Sequence, residues 1–173
     1  MNPFEPPVPG EAAEYFAGYI AKAPRGDVRR TLHSQRSDVL ALVRSVSEER
    51  SLFRYASDKW SIREVLSHVN DTERIFTYRM LWFARGIETE VPSFDQDVAI
   101  ASAGANERAW ASHVAEFDAV RGASIALFDS LPDEAWGRRG VAGGNPITVR
   151  ALAYIVAGHV AHHVDLLRTR YLA

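Results

Sequence analysis

The sequence predicts an all-α protein: a four-helix bundle with a short additional N-terminal helix. Three observations predict it. Apolar residues recur at helical spacing through four long segments, start and stop signals bracket those segments, and no segment alternates apolar and polar residues as a half-buried strand does.

Residues 1–10 hold four of the eight prolines and read as an extended arm. Glu11 to Ala23 reads as a short helix with Tyr15, Phe16, Tyr19 and Ile20 on its apolar side, stopped before Pro24. Residues 1–26 thus form an N-terminal arm and short helix, and residues 27–173 the bundle. Asp27 is placed to cap the first bundle helix, whose stripe runs Val28, Leu32, Gln35, Val39, Leu42, Val46. The second helix has the strongest start signal: Ser61-Ile-Arg-Glu64 fits the capping box, with Trp60 outside it as a hydrophobic staple. Ile62, Val65, Val69, Phe76, Met80 and Phe83 then face the core, and Gly86 ends the helix. Residues 87–104, containing Pro92, Phe94 and Asp95, make a long connection of the kind that crosses a bundle or covers a site. The third helix spans Asn106 to Ser130, with Trp110, Val114, Phe117, Val120, Ile125 and Phe128 apolar, and Pro132 closes it. A glycine-rich loop, 140–146, leads to Thr148, the expected N-cap of a fourth helix that ends near Tyr171.

A chain of 173 residues, 47% hydrophobic and 24% charged, suits one domain with a substantial core. Its net charge of −2, without a clustered basic face, argues against nucleic acid as a partner. The absence of cysteine excludes disulfides, thiolate metal ligands and a cysteine nucleophile. No apolar run approaches the roughly 18 to 20 residues that span a bilayer, and the first ten residues lack the basic and apolar regions of a signal peptide. A cytoplasmic protein without a membrane partner is therefore expected.

The chemistry points to the last helix. His159 and His163, in Ala157-Gly-His-Val-Ala-His-His-Val-Asp165, stand four apart and fall inside the stripe Val149, Leu152, Val156, Val160, Leu167. Titratable rings aimed at an apolar core are costly unless their nitrogens are satisfied, and a divalent ion held by two histidines one turn apart satisfies them. A lone core-facing histidine is more often a satisfied core residue; the spaced pair is what favours a metal. His68, at the edge of the second helix's stripe, can complete a three-histidine site. His162 sits off the stripe's centre, beside the pair, while His33 and His113 read as surface or helix-flank residues. Asp71, Glu73 and Asp165 are the carboxylates near enough in sequence to orient a ring, although a helical wheel turns Asp71 and Asp165 to solvent. Glu64 belongs to the capping box. Asp95 is the one carboxylate whose loop position could fold it over a metal. Three histidines without thiolate or carboxylate leave positions for water or substrate, as catalytic sites do.

Lys59-Trp-Ser-Ile-Arg-Glu-Val-Leu-Ser-His68-Val-Asn-Asp-Thr-Glu73, Pro92-Ser-Phe-Asp95, Thr148-Val-Arg-Ala-Leu and His159-Val-Ala-His-His163 together resemble the DinB/YfiT-like superfamily, over roughly residues 27 to 172. The resemblance implies up-down-down-up helix connectivity, a divalent ion on His68, His159 and His163 with water in the remaining positions, and a homodimer. It also implies metal-dependent transferase or isomerase chemistry that uses a low-molecular-weight thiol such as bacillithiol or mycothiol; other members are described only as metal-dependent hydrolases. One departure is visible: relatives carry Gln-Ile shortly after the last histidine, where this chain continues Val164-Asp-Leu-Leu167.

The expected function is thiol S-transfer to an electrophilic small molecule, with zinc or nickel lowering the pKa of the bound thiol and His162 or Asp95 assisting proton transfer. The alternatives are a metal-dependent hydrolase, and a non-catalytic binding or dimerisation module whose metal is structural.

Overall fold

The computed structural model describes residues 3–173. Six α-helices, α1 (Ala17–Lys22), α2 (Val28–Arg44), α3 (Ile62–Ala84), α4 (Gln96–Ser102), α5 (Trp110–Ser130) and α6 (Val149–Leu166), are joined by one hairpin, β1 (Arg139–Ala142) and β2 (Asn145–Thr148). The start signals act as the sequence indicates. Asp27 accepts from the Arg29 amide, Thr148 from the Ala151 amide, and Ser61 and Glu64 close a reciprocal capping box.

The four long helices form a bundle in which α2 and α3 each pack against both α5 and α6. Side-chain contacts set their directions. Trp110, at the start of α5, donates to the Val43 carbonyl near the end of α2, while His33 meets Asp129 at the opposite end, so these two helices are antiparallel. Arg63 reaches the Arg108 carbonyl and Arg121 reaches Glu73, so α3 and α5 run together. Tyr171, beyond α6, donates to the Trp60 carbonyl just before α3, and Tyr154 to the Gly26 carbonyl just before α2. Hence α6 opposes α3 and follows α2.

The apolar core is in two parts. One contains Leu32, Met80, Phe83, Phe128, Trp136 and Leu152; the other contains Val43, Ile62, Leu66, Trp110, Phe117 and Val160. A polar layer crosses all four helices between them, made of Gln35 on α2, Glu73 on α3, Arg121 on α5 and His159 on α6. Within it Arg121 donates to both carboxylate oxygens of Glu73 at 2.8 Å and to Gln35 at 3.1 Å, and Gln35 donates to the Ala157 carbonyl at 2.8 Å.

The all-α expectation is corrected by the hairpin. β1 and β2 pair antiparallel in register Arg139↔Thr148 to Ala142↔Asn145, and Val91 of the 87–104 connection bridges to Ala142. Gly143 and Gly144, both with positive φ, make the two-residue turn that the right-handed twist of a hairpin favours. The strands are four residues each, too short for alternation to show, and their sequence of Gly and Pro reads as loop.

The N-terminal segment is fastened across α6. Glu11 accepts from Arg150 and from the Thr148 hydroxyl, and its carbonyl accepts from the Thr148 amide at 2.9 Å. Phe4 packs edge-on against Trp136. α1 lies so close to α6 that a Cβ on Gly158 would stand 1.8 Å from the Tyr19 carbonyl oxygen. Gly158→Ala is therefore expected to push α1 off α6 and destabilise the fold by about 1–3 kcal/mol, as overpacking does. Faster proteolysis ahead of Ala23, together with a lower melting temperature, checks this; an unchanged pair of values would exclude the close packing. Among the described residues no helix is long and apolar enough to cross a membrane.

Candidate metal centre

The structure brings His68, His159 and His163 together. The caps at Ser61 and Thr148 fix where α3 and α6 start, and burial of Ile62, Val65 and Leu66 on α3 and Val156 and Val160 on α6 turns His68 and the 159/163 pair toward each other across the antiparallel helix pair. His159 Nε2 lies 3.0 Å from His68 Nε2 and 3.1 Å from His163 Nε2, and one ring nitrogen from each residue lies within 4.8 Å of the others. All three rings are buried, at 4%, 4% and 7% exposure for His68, His159 and His163.

Burial sets their charge. It pushes the His68 pKa down to about 4 and the His159 pKa down to about 3, with the neighbouring imidazoles acting in the same direction. His163 is held well below the usual histidine value for the same reasons. The three rings are neutral at pH 7, and each then has one N–H and one lone pair. His159 Nε2 has one proton or one lone pair, so no choice of tautomers gives both of its contacts a full, linear hydrogen bond. A cation at the centre would resolve the conflict. Two nitrogens about 2.0–2.1 Å from one zinc are roughly 3.3 Å apart in a tetrahedral set and roughly 2.9 Å apart in a facial octahedral set, and the observed 3.0 and 3.1 Å lie between these. The donor set fits a divalent transition-metal ion of the kind that imidazole ligands suit.

None of the nearby carboxylates orients a ring. Asp71 pairs with Arg74, Asp165 faces Lys22 at 3.9 Å, and Glu73 is occupied by Arg121. The role falls instead to the Thr72 hydroxyl, 3.3 Å from His68 Nδ1, while His163 Nδ1 is buried with no partner. Asp95 does not fold over the imidazoles: it is exposed, and its side chain caps α4 by accepting from the Asp97 and Val98 amides. His162 is half-buried, stacked edge-on against Tyr19 and His163 on the outer side of α6. His33 is exposed and meets Asp129, as a surface residue should. His113 departs from the expected helix flank. It is fully buried, with Nε2 donating to the Ala105 carbonyl at 2.9 Å, because α5 turns His113, Arg121 and Ser124 inward in place of Val114 and Val120.

Beside the imidazoles lies a pocket of about 220 Å³. His159 and Thr72 form its floor, and α1, α3, the 87–104 connection and the β1–β2 turn form its walls. Tyr15, Phe16, Tyr19, Phe76 and Phe94 line it together with the polar Arg79, Ser93, Gln96 and Asn145, and no carboxylate does. Tyr19 packs edge-on against His159 at 5.4 Å, while Trp60 covers His68 at 4.9 Å. Sequence periodicity placed Tyr19 only on a helix face; its position over His159 depends on the Gly158 contact.

These folded-state pKa values lie below the unfolded value of 6.5. The unfolded chain therefore takes up protons first, so stability is full above about pH 6.5 and lost as pH falls toward the folded values. Each histidine contributes about 1.4 kcal/mol per pH unit in that window. We expect the urea midpoint of metal-free protein to drop sharply between about pH 7 and pH 5; a flat profile would contradict neutral burial.

A four-helix bundle with three convergent buried imidazoles, one of them lining a pocket, defines a class of helical scaffold with an internal histidine cluster that could hold a metal ion. The chain belongs to the DinB superfamily, whose family model matches residues 31–167. Among solved structures it is similar to YfiT from Bacillus subtilis, at 18% identity and a TM-score of 0.67, over 97% of each chain. YfiT is described as a probable metal-dependent hydrolase with an unusual four-helix bundle topology; at that identity the likeness shows the fold. No curated protein matches the chain.

Proposed function

We propose that this protein is a metal-dependent enzyme that holds one divalent ion, zinc or nickel, on His68, His159 and His163 and joins a low-molecular-weight thiol to an electrophilic small molecule. The observation that carries this reading is the set of three neutral, convergent imidazoles, one of which, His159, lines a pocket that has no carboxylate in its lining. When bound, the ion supplies the charge that lowers a thiol's pKa and so makes a nucleophile available near neutral pH. A thiol activated in this way needs no general base from the protein, and the pocket offers no carboxylate to serve as one.

The chain's own residues position and shield. Thr72 holds the His68 ring, Trp60 covers that ring from outside, and Tyr19 with Phe76 flanks His159 where the pocket begins. The aromatic residues of the lining suit the apolar body of an electrophile. Asp95 is given no step, because its side chain is occupied as a helix cap. His162 lines the outer surface with Lys22 and is absent from the pocket lining.

Thiol consumption with 1-chloro-2,4-dinitrobenzene, measured on metal-loaded and metal-stripped protein with several small thiols, tests the reading. Turnover that needs both the ion and the thiol supports it, and activity indifferent to complete metal removal sinks it. Hydrolysis is the second reading, favoured by the description of YfiT. Metal-dependent ester cleavage that proceeds without any thiol would select it.

A further inference from the structure

Four arginines of the described chain are buried, and one of them differs from the rest. Arg63 meets Glu48, Arg121 meets Glu73, and Arg150 meets Glu11. Arg79, at 8% exposure, has no carboxylate in ion-pair range among the described residues. Its one hydrogen bond runs from Nη2 to the Pro92 carbonyl at 2.8 Å, which leaves most of its five N–H donors uncommitted. A buried guanidinium is retained in a fold when it is paired, or when a partner arrives from outside.

Its location says where that partner comes from. Arg79 lines the same pocket as His159. Along α3 Phe76 falls between Thr72 and Arg79, all three lining the pocket, and its ring lies 5.9 Å from the Arg79 guanidinium carbon and 6.2 Å from the His159 ring centre, so the pocket extends past Phe76 from the cation toward His159. The remaining walls are aromatic or neutral, with no carboxylate to compete for the guanidinium.

We infer that Arg79 is the anion-recognising residue of this pocket, and that the molecule accommodated there carries an oxyanion, a carboxylate or a group of like geometry, on a short apolar body at the end away from the imidazoles. The inference deepens the proposed function and rests on its reading that the substrate occupies this pocket. A planar guanidinium fork takes a carboxylate through two parallel hydrogen bonds, and the desolvated setting strengthens both. The Phe76 face between the two ends suits a chain of several carbons or an aryl ring.

The test uses metal-free protein, so that its outcome is independent of the ion and of any thiol. Hexanoate, hexanesulfonate and hexyl phosphate are titrated beside neutral hexanamide, with binding followed by protein NMR. At least one anion should bind about 10- to 100-fold more tightly than the amide, the range a charge-assisted pair supplies. The order among the three identifies the oxyanion. In Arg79→Met the preference should vanish while the circular dichroism and melting curve stay close to wild type. Equal binding of amide and anions to wild type, or a preference that survives Arg79→Met, overturns the assignment. Should Arg79→Met fail to fold, the Arg79 Nε–H resonance of the wild type decides. A shift with the preferred anion but not with hexanamide supports the site, and no shift rejects it. Failure here leaves the metal reading intact, whereas failure of metal binding leaves this result standing.

Discussion

The double variant His159→Ala, His163→Ala is expected to purify without zinc or nickel, against about one equivalent of divalent ion per wild-type chain. His68 remains as a single imidazole, and one monodentate ligand does not hold such an ion against buffer. Elemental analysis gives the stoichiometry, and thermal melting gives an independent reading. A ligand that binds only the native state adds about 2.7 kcal/mol when present at a hundred times its Kd. Wild type should therefore melt at a higher temperature when zinc or nickel is added, and the variant should not respond. Replacing the same pair by glutamine keeps more of the side-chain volume and separates loss of ligands from loss of packing. Equal metal content in wild type and variants would mean that the ion lies elsewhere, and a wild type that takes up none of the ions offered would make the three histidines core residues.

The second large effect is expected at Glu73→Gln. Glu73 is 2% exposed and its oxygens receive two hydrogen bonds from Arg121, which is 0% exposed. Removing one partner of a buried pair leaves the other charge uncompensated and typically costs 3–5 kcal/mol. For a chain of this size that corresponds to a melting temperature lower by roughly 10 °C. The same substitution should weaken metal binding, since the Arg121 charge acts on His159 and would no longer be balanced by Glu73. Replacing both partners, as in Glu73→Met with Arg121→Met, should recover much of the stability, because no charge is then stranded. A Glu73→Gln protein that melts within about 2 °C of wild type would show that the pair is not needed.

What local chemistry determines was legible in the sequence. The Ser61–Glu64 box, the Asp27 and Thr148 caps and the one-turn spacing of His159 and His163 are each properties of a few consecutive residues, and each has its structural counterpart. What depends on a partner far along the chain was not. Arg121 and Glu73 are 48 residues apart, and nothing in the residues around either one indicates that they pair. The inward turn of His113 and Arg121 was obscured because Val114 and Val120 offer a competing apolar stripe on the same helix, and only Glu73 and the Ala105 carbonyl show which stripe faces in. Asp95 read as a loop residue because α4 is only seven residues long, and a helix that short shows little periodicity. Arg79 offered no signal, since a buried cation is conspicuous only once the positions of all carboxylates are known.

The attachment of the first residues to α6 has a consequence for how the molecule is made. Glu11 and Arg150 are separated by 139 residues, and His68 and His159 by 91, so both contacts close long stretches of chain. Ribosomal synthesis delivers residues 148–163 after nearly everything they touch. Until α6 emerges, the N-terminal helix has no surface to lie on, His68 has no partner imidazoles, and the pocket lacks its floor. Pairings of this span raise contact order and slow folding. Capture of the proposed ion would thus belong to the last stage of maturation, when a nearly complete bundle accepts its final helix, and a chain truncated before Gly158 would have neither the three-histidine cluster nor its cover.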